Sequence, residues 1–249
     1  MSQAQQVVVV VPGRGASTRL PRKMFLKESG KALYAHTLER CLASRRADRV
    51  LAAVDGPELA AIARAAGAEA VLTDPHLSSG TDRVWAAVRG LPEAAIVLNV
   101  QGDEPEIEPE AVDCVIEAVL AGAEVATLAA PMPDGAFADP ARVKVVLDRV
   151  GNALYFSRAP IPHPRFNGPA AARLHLGLYG FRREALAQFT AWPPSDLERT
   201  EGLEQLRLLE HGVKIRVLDW PRATSGIDTR ADYDAFLART RNAAPAPRS

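Results

Sequence analysis

From Pro12 to Lys23 the chain reads Pro-Gly-Arg-Gly-Ala-Ser-Thr-Arg-Leu-Pro-Arg-Lys, with hydroxyls at Ser17 and Thr18 and cations at Arg14, Arg19, Arg22 and Lys23. Glycines let backbone amides approach an anion, hydroxyls donate to it, and Arg and Lys neutralise its charge. Such a run is suited to a polyphosphate, as in a nucleoside triphosphate. A solvated basic loop would use the same residues. A dinucleotide-binding turn fits less well, because the later glycine of G-x-G-x-x-G is missing and Pro21 breaks the helix that should follow. No G-x-x-x-x-G-K-[ST] phosphate loop occurs.

A second constellation is Asn99-Val100-Gln101-Gly102-Asp103-Glu104-Pro105, preceded by an apolar run. A strand ending in carboxylates places Asp103 at the carboxyl edge of a sheet, where open α/β folds bind ligands. Magnesium needs only one or two protein carboxylates besides phosphate oxygens, so a strand-end Asp is a suitable ligand. Gly-Asp and Glu-Pro are equally ordinary turn chemistry, and taken alone the segment favours the turn.

The elements that must position these residues follow from periodicity. Apolar or β-branched runs at 7–11, 50–54, 70–72, 95–100, 125–130, 143–147, 175–181 and 215–218 predict strands covered on both faces. Helical periods at 32–43, 57–66, 82–89, 109–121, 183–191, 200–211 and 230–239 alternate with them. Gly67, Gly122 and Gly212 close three of these helices. The fold class is α/β, a mostly parallel mixed sheet flanked by helices. Between 131 and 169 prolines accumulate and the helical period fades, which predicts an excursion of strands and loops away from the main sheet.

The chain has 249 residues, of which 47% are hydrophobic and 24% charged, so it should fold without disulfides or structural metal. Thirty basic residues balance thirty acidic ones, which argues against a nucleic-acid or anionic-membrane partner and leaves anion binding to local clusters. Cys41 and Cys114 show no metal spacing and read as buried thiols in a reducing cytoplasm. The start reads as a first strand rather than a signal peptide or membrane span. A single domain over 1–240 and a flexible tail at 241–249 are expected.

Eight ordered blocks covering roughly 7–237 bear a family likeness. They are PxRxASTRLPxK (Pro12–Lys23), SGTDR (Ser79–Arg83), NVQGDEP (Asn99–Pro105), VKVVLD (Val143–Asp148), ALYFSRxPIP (Ala153–Pro162), HLGLYGFR (His175–Arg182), LExxExLEQLRLL (Leu197–Leu209) and GIDT (Gly226–Thr229). Together they resemble the 3-deoxy-manno-octulosonate (Kdo) cytidylyltransferases. The resemblance implies a GT-A-like, Rossmann-like nucleotidyltransferase fold and a cytoplasmic homodimer that makes CMP-Kdo and pyrophosphate from CTP and Kdo with magnesium, for lipopolysaccharide-type sugar biosynthesis. It implies that Arg14, Ser17, Arg19 and Lys23 cradle the triphosphate, with Pro12, Gly13, Ser79, Arg83 and Gln101 completing the nucleotide site. Asp103 and Asp228 would hold magnesium, and Arg158, His175, Tyr179, Glu204 and Gln205 would grip the sugar, the excursion adding sugar-site and dimer contacts. Leu77-Ser78 departs from the His-Gln of many members.

Alternative readings stay open at this point. Singly, His175 and Tyr179 could be core residues, and Glu204 and Gln205 plain helix-surface positions. The acceptor could be another 2-keto sugar acid or a phosphonate, and the chain could be a noncatalytic nucleotide-binding protein. A dinucleotide-dependent oxidoreductase is disfavoured by the broken glycine fingerprint.

Overall fold

A computed structural model describes residues 6–165, 172–224 and 226–243. The valine run forms β1 (Gln6–Gly13), and Val7 to Val11 are all buried. Val7, Val9 and Val11 face a core built with α1 (Leu33–Leu42), α2 (Pro57–Ala65) and α4 (Pro109–Leu120). Val8 and Val10 face the opposite core, shared with α3 (Gly80–Val88), α5 (Arg183–Ala191) and α7 (Gln205–Glu210). Burial on both faces explains why the strand is continuously apolar rather than alternating. Each such side chain contributes about 1.5–3 kcal/mol by leaving water.

Around β1 lie β2 (Arg49–Val54), β3 (Glu69–Leu72) and β4 (Ala94–Asn99), all parallel to it. The sheet continues through β8 (Arg173–Arg182), β5 (Val125–Pro131) and β9 (Ile215–Asp219) in the order β3-β2-β1-β4-β8-β5-β9. Here β8 runs antiparallel to both β4 and β5, while β9 is parallel to β5. The expected α/β class and helix-flanked mixed sheet are therefore present, with the parallel half carrying the N-terminal loop. Pro57 and Pro109 occupy the first helical turns of α2 and α4, where a missing N–H costs nothing.

Several expectations need correction. The excursion does not leave the sheet: β6 (Lys144–Leu147) pairs with the first residues of β8. It also pairs with β7 (Ala153–Ser157), a strand that the sequence did not announce because its side chains lack β-branching. Residues 166–169 of that excursion lie outside the described residues. Cys41 is buried as expected, whereas Cys114 is only half-buried. The final helix, α8, spans Arg230–Ala243, so 241–243 are helical and the rest of the expected tail, 244–249, lies outside the described residues.

The helix expected over 200–211 is two helices. A capping box between Ser195 and Glu198 starts α6 (Asp196–Glu201) early, and Gly202 ends it at φ 62°. That left-handed conformation suits glycine and redirects the chain, so that α7 begins at Gln205 with Glu204 just before it. Glu198 locks the two pieces together by accepting from Arg207 Nε at 2.7 Å and Nη2 at 2.6 Å. Arg207 also donates to the carbonyls of Phe189 and Trp192, and both side chains of the pair are almost fully buried.

Burial acts to raise the Glu198 pKa, but the Arg207 hydrogen bond and the Ser195 amide hold it below the usual carboxylate value. The ion pair therefore stabilises fully above the ordinary carboxylate range, and its contribution fades as pH falls through the lowered folded value. Glu198→Gln should cost about 3–5 kcal/mol near neutral pH, because it strands a buried guanidinium charge. Urea unfolding at neutral and acid pH checks this. The gap between variant and native protein should narrow in acid.

Candidate active site

Two strand ends and one glycine build the site. The carboxyl ends of β1 and β4 approach so closely that a Cβ at Gly102 would lie 2.7 Å from the Pro12 carbonyl oxygen and 2.8 Å from Tyr34 Cε2. Only glycine fits there. Tyr34, wholly buried, donates to the Val11 carbonyl at 2.6 Å, and Thr37 donates to the Gly102 carbonyl at 3.0 Å, so α1 fastens both strand ends. The loop after β1 is anchored on its outer side by Asp55, whose two carboxylate oxygens each accept from the Gly15 amide at 3.0 Å.

Beside this junction opens a cavity of about 360 Å³, lined by all nine of the expected nucleotide residues: Pro12, Gly13, Arg14, Ser17, Arg19, Lys23, Ser79, Arg83 and Gln101. Asp103 and Asp228 are in the same wall. Arg83 is buried and fixed by hydrogen bonds to Thr73 Oγ1 and the Asp74 carbonyl. Ser79 caps α3 by accepting from the Asp82 amide at 3.1 Å, which places Ser79 and Gly80 at the cavity wall. Leu77 and Ser78, at the departure from the family pattern, also line it. Arg22, the fourth cation of the loop, is not among the lining residues. It adopts φ 56° and turns outward to Glu58, at 2.8 and 2.9 Å. This left-handed residue swings the chain so that Lys23 points inward.

Lys23 is the pivot of the site. Its ammonium donates to Asp103 Oδ2 at 2.5 Å, to the Ile227 carbonyl at 2.8 Å and to Asp228 Oδ1 at 3.0 Å. Arg19 adds a second cation to Asp228 at 2.9 Å. The two carboxylates foreseen as metal ligands thus converge on one cationic point. Hard oxygen donors in this number suit a magnesium ion that also takes phosphate oxygens and water. Among the described residues no third His, Cys, Asp or Glu completes an all-protein cage.

A second cavity, of about 510 Å³, shares Arg19, Gln101, Asp103, Glu204 and Asp228 with the first and is lined by Arg158, His175, Tyr179 and Gln205. All five expected sugar residues therefore meet here. Arg158 is braced by the carbonyls of Glu201, Pro140 and Gly202. Burial lowers the His175 pKa to about 3, so the ring is neutral near pH 7. Thr127 lies 2.7 Å from the Leu178 carbonyl and 3.1 Å from His175 Nε2. With the hydroxyl proton given to the carbonyl, Nε2 carries the imidazole proton. Tyr179 is held protonated, its pKa pushed far up by burial and then by Glu204. Among the described residues the Tyr179 hydroxyl and Gln205 Nε2 are buried without a partner. Burial also raises the pKa of Glu204, which accepts from Thr81 Oγ1 at 2.6 Å.

Some residues of the site escaped the sequence reading. Asn99 and Thr81 form a relay from Gln101 to Glu204 along the shared wall, with links of 3.3, 3.4 and 2.6 Å. Glu104 lines the second cavity, and its carboxyl pKa is raised to about 8 by burial and then by Asp103. All three lie inside blocks already singled out, where neighbouring residues absorbed the attention. Asp55 had no such signal.

Comparison with known proteins agrees with this geometry. The family model described as "Cytidylyltransferase" matches residues 8–215. Curated 3-deoxy-manno-octulosonate cytidylyltransferases of Anaeromyxobacter sp. (strain Fw109-5) and Anaeromyxobacter dehalogenans (strain 2CP-C) are 48% and 49% identical over 236 residues, covering 94% of this chain and 96% and 97% of theirs. The chain belongs to the 3-deoxy-manno-octulosonate cytidylyltransferase family. A solved CMP:2-keto-3-deoxy-manno-octonic acid synthetase complexed with CTP superposes with a TM-score of 0.90 at 37% identity, covering 95% of this chain and 99% of that one. The expected nucleotidyltransferase fold is thereby established for this cytidylyltransferase.

The inward and outward cations of the loop make an internal comparison. Lys23→Ala and Arg19→Ala should each weaken CTP binding, whereas Arg22→Ala should leave it within about twofold, since an exposed ion pair is worth about 0–1 kcal/mol. Calorimetric CTP titrations beside melting curves decide. Equal losses in all three would reduce the loop to a general basic surface.

Proposed function

We propose that the chain transfers the cytidylyl group of CTP to the anomeric hydroxyl of Kdo, releasing pyrophosphate for lipopolysaccharide-type sugar biosynthesis. The observation that carries this is the shared wall of the two cavities. One is lined by the cation and hydroxyl loop, the other by polar side chains of which Tyr179 Oη and Gln205 Nε2 lack partners among the described residues, and Asp103 and Asp228 stand where they meet. The named relatives and the CTP complex support the choice of substrates.

In the reaction the acceptor hydroxyl oxygen forms a bond to the α-phosphorus as the bond to the bridging oxygen breaks. Pyrophosphate leaves with that electron pair, and the hydroxyl proton passes to solvent. No covalent enzyme intermediate is needed, so the protein must position two substrates and stabilise spreading negative charge. Arg14, Ser17, Arg19 and Lys23 hold the triphosphate, and Lys23 and Arg19 neutralise the leaving group. Pro12, Gly13, Ser79, Arg83 and Gln101 shape the nucleotide site. Asp103 and Asp228 would hold magnesium, which when bound would offset phosphate charge and acidify the attacking hydroxyl.

At the acceptor end Arg158 faces the sugar carboxylate, its planar fork being suited to bidentate pairing. His175, Tyr179, Glu204 and Gln205 hydrogen-bond the sugar hydroxyls. Neutral His175 and protonated Tyr179 serve as uncharged partners, leaving Arg158 to answer the single acceptor charge. We also infer a cytoplasmic homodimer. Its support is the free thiols and the exposed apolar side chains of Val150 and Leu154 beside and on β7. Among the described residues no helix is long and apolar enough to cross a membrane.

Pyrophosphate release should require CTP, Kdo and magnesium together, and EDTA should abolish it. Equal turnover with ATP would sink the assignment. Asp103→Asn leaves Lys23 with Asp228 and the Ile227 carbonyl, so it should stay folded with a lowered melting temperature yet lose at least about 10²-fold in turnover, the scale of a missing electrostatic stabiliser. The Lys23 geometry gives a separate test without catalysis: in nucleotide-free protein, Lys23→Ala should bind Mn²⁺ more tightly than native protein, read by electron paramagnetic resonance. Unchanged or weaker binding would show that the ammonium does not compete for the carboxylates.

A further inference from the structure

Glu104 is a buried acidic side chain to which the proposed reaction gives no task. It is 9% exposed and lines the second cavity together with Gln101, His175, Gly177 and Tyr179. Its backbone is fixed in a tight turn, the amide donating to the Gln101 carbonyl and the carbonyl accepting from the Ile107 amide, both at 3.2 Å. Among the described residues nothing hydrogen-bonds its carboxyl. A buried carboxyl in that condition is costly unless something entering the cavity completes it.

The geometry separates Glu104 from the cation point. Lys23 reaches Asp103 and Asp228, and among the described residues no hydrogen bond or ion pair joins it to Glu104. Among the described residues no group of three ligating side chains forms. Glu104 instead looks across the open space left by Gly177, where a Cβ would lie 3.4 Å from Glu104 Oε1. The same cavity holds two buried donors without partners among the described residues, Tyr179 Oη and Gln205 Nε2. Unsatisfied donors and an unsatisfied carboxyl around one space match a polyol, each hydroxyl of which both gives and receives a hydrogen bond.

We propose that Glu104 is a further acceptor-binding residue, whose carboxyl hydrogen-bonds a hydroxyl of the sugar acid and so selects polyhydroxylated acceptors and sets the sugar's orientation. This rests on the Kdo-transferring function proposed above. Loss of the contact should be felt in acceptor binding and not in nucleotide binding, because Glu104 is absent from the lining of the first cavity.

The test compares native protein with Glu104→Ala and the isosteric Glu104→Gln, using pyrophosphate release against Kdo at saturating CTP, calorimetry with CTP, and melting curves. Glu104→Ala should raise the KM for Kdo about 10-fold with CTP affinity within about twofold, and Glu104→Gln should recover most of the loss. Kdo analogues lacking one hydroxyl each should include one that the alanine variant and native protein use equally well, which identifies the hydroxyl held. If the alanine variant folds poorly, Glu104→Ser, which also removes the carboxyl, takes its place in the same analogue series. A native Kdo KM in both variants overturns the proposal, as does a parallel fall in CTP affinity and Kdo use, which marks a structural role. Native protein that releases no pyrophosphate with Kdo overturns the proposed function itself, and this inference with it.

Discussion

One buried ammonium holds the site together. Lys23 joins the loop after β1 to the turn after β4 through Asp103, and to the segment before α8 through Asp228 and the Ile227 carbonyl. These segments are 80 and about 205 residues apart in sequence. A buried cation without carboxylates, or facing carboxylates without a cation, would each be strongly unfavourable. With Arg19 on Asp228 the cluster balances two cations against two anions at the sheet edge. Any substrate carrying its own charges has to trade partners with it, so the site is both held shut and made exchangeable by one set of ion pairs.

The surrounding structure brings those three segments within reach. Gly102 lets the ends of β1 and β4 close to contact, and Tyr34 and Thr37 bind both ends to α1. A small core of Leu20, Leu33, Ile227, Tyr233, Phe236 and Leu237 then clamps α8 against the loop. Asp232 caps that helix by accepting from the amides of Asp228 and Thr229, at 3.1 and 2.8 Å, which fixes the backbone that presents Asp228. Apolar packing thus sets the position, and the ion pairs fill it.

Much of the sheet was legible because β1, β2, β4 and β5 are buried on both faces and therefore read as unbroken apolar runs. β7 was not, since Ala153, Leu154 and Phe156 carry no β-branched signature and the strand exists through its pairing with β6. The break between α6 and α7 was hidden because the apolar helical period of Leu203, Leu206, Leu208 and Leu209 begins directly after Gly202, and a single glycine beside such a period does not by itself mark a helix end. At the site, residue type and spacing marked the loop cations as a candidate anion site, while Asp103 taken alone read as a turn and gained its candidacy from the family blocks around it. Asp228, His175, Tyr179 and Gln205 drew attention only through family resemblance, because an isolated Asp in a turn or Tyr in a strand has no local mark of function. Glu104 and Thr81 were overlooked beside louder neighbours in their own motifs.

The two ends of the site also differ in physical character, and that difference follows from where each is built. The proposed nucleotide side stands on loops at strand ends, where Arg14 and Arg19 stay exposed and able to meet a multiply charged ligand. The proposed acceptor side draws on β8 and the α6–α7 turn, elements packed into the core, so His175 and Tyr179 are desolvated: His175 stays neutral and Tyr179 keeps its proton. Uncharged donors and acceptors in a low-dielectric pocket discriminate by hydrogen-bond geometry, since each unmatched group costs about 1–3 kcal/mol. Charge alone could not do so at that depth, where long-range attraction would admit any anion. The relay of Asn99 and Thr81 between Gln101 and Glu204 ties the two environments along one wall.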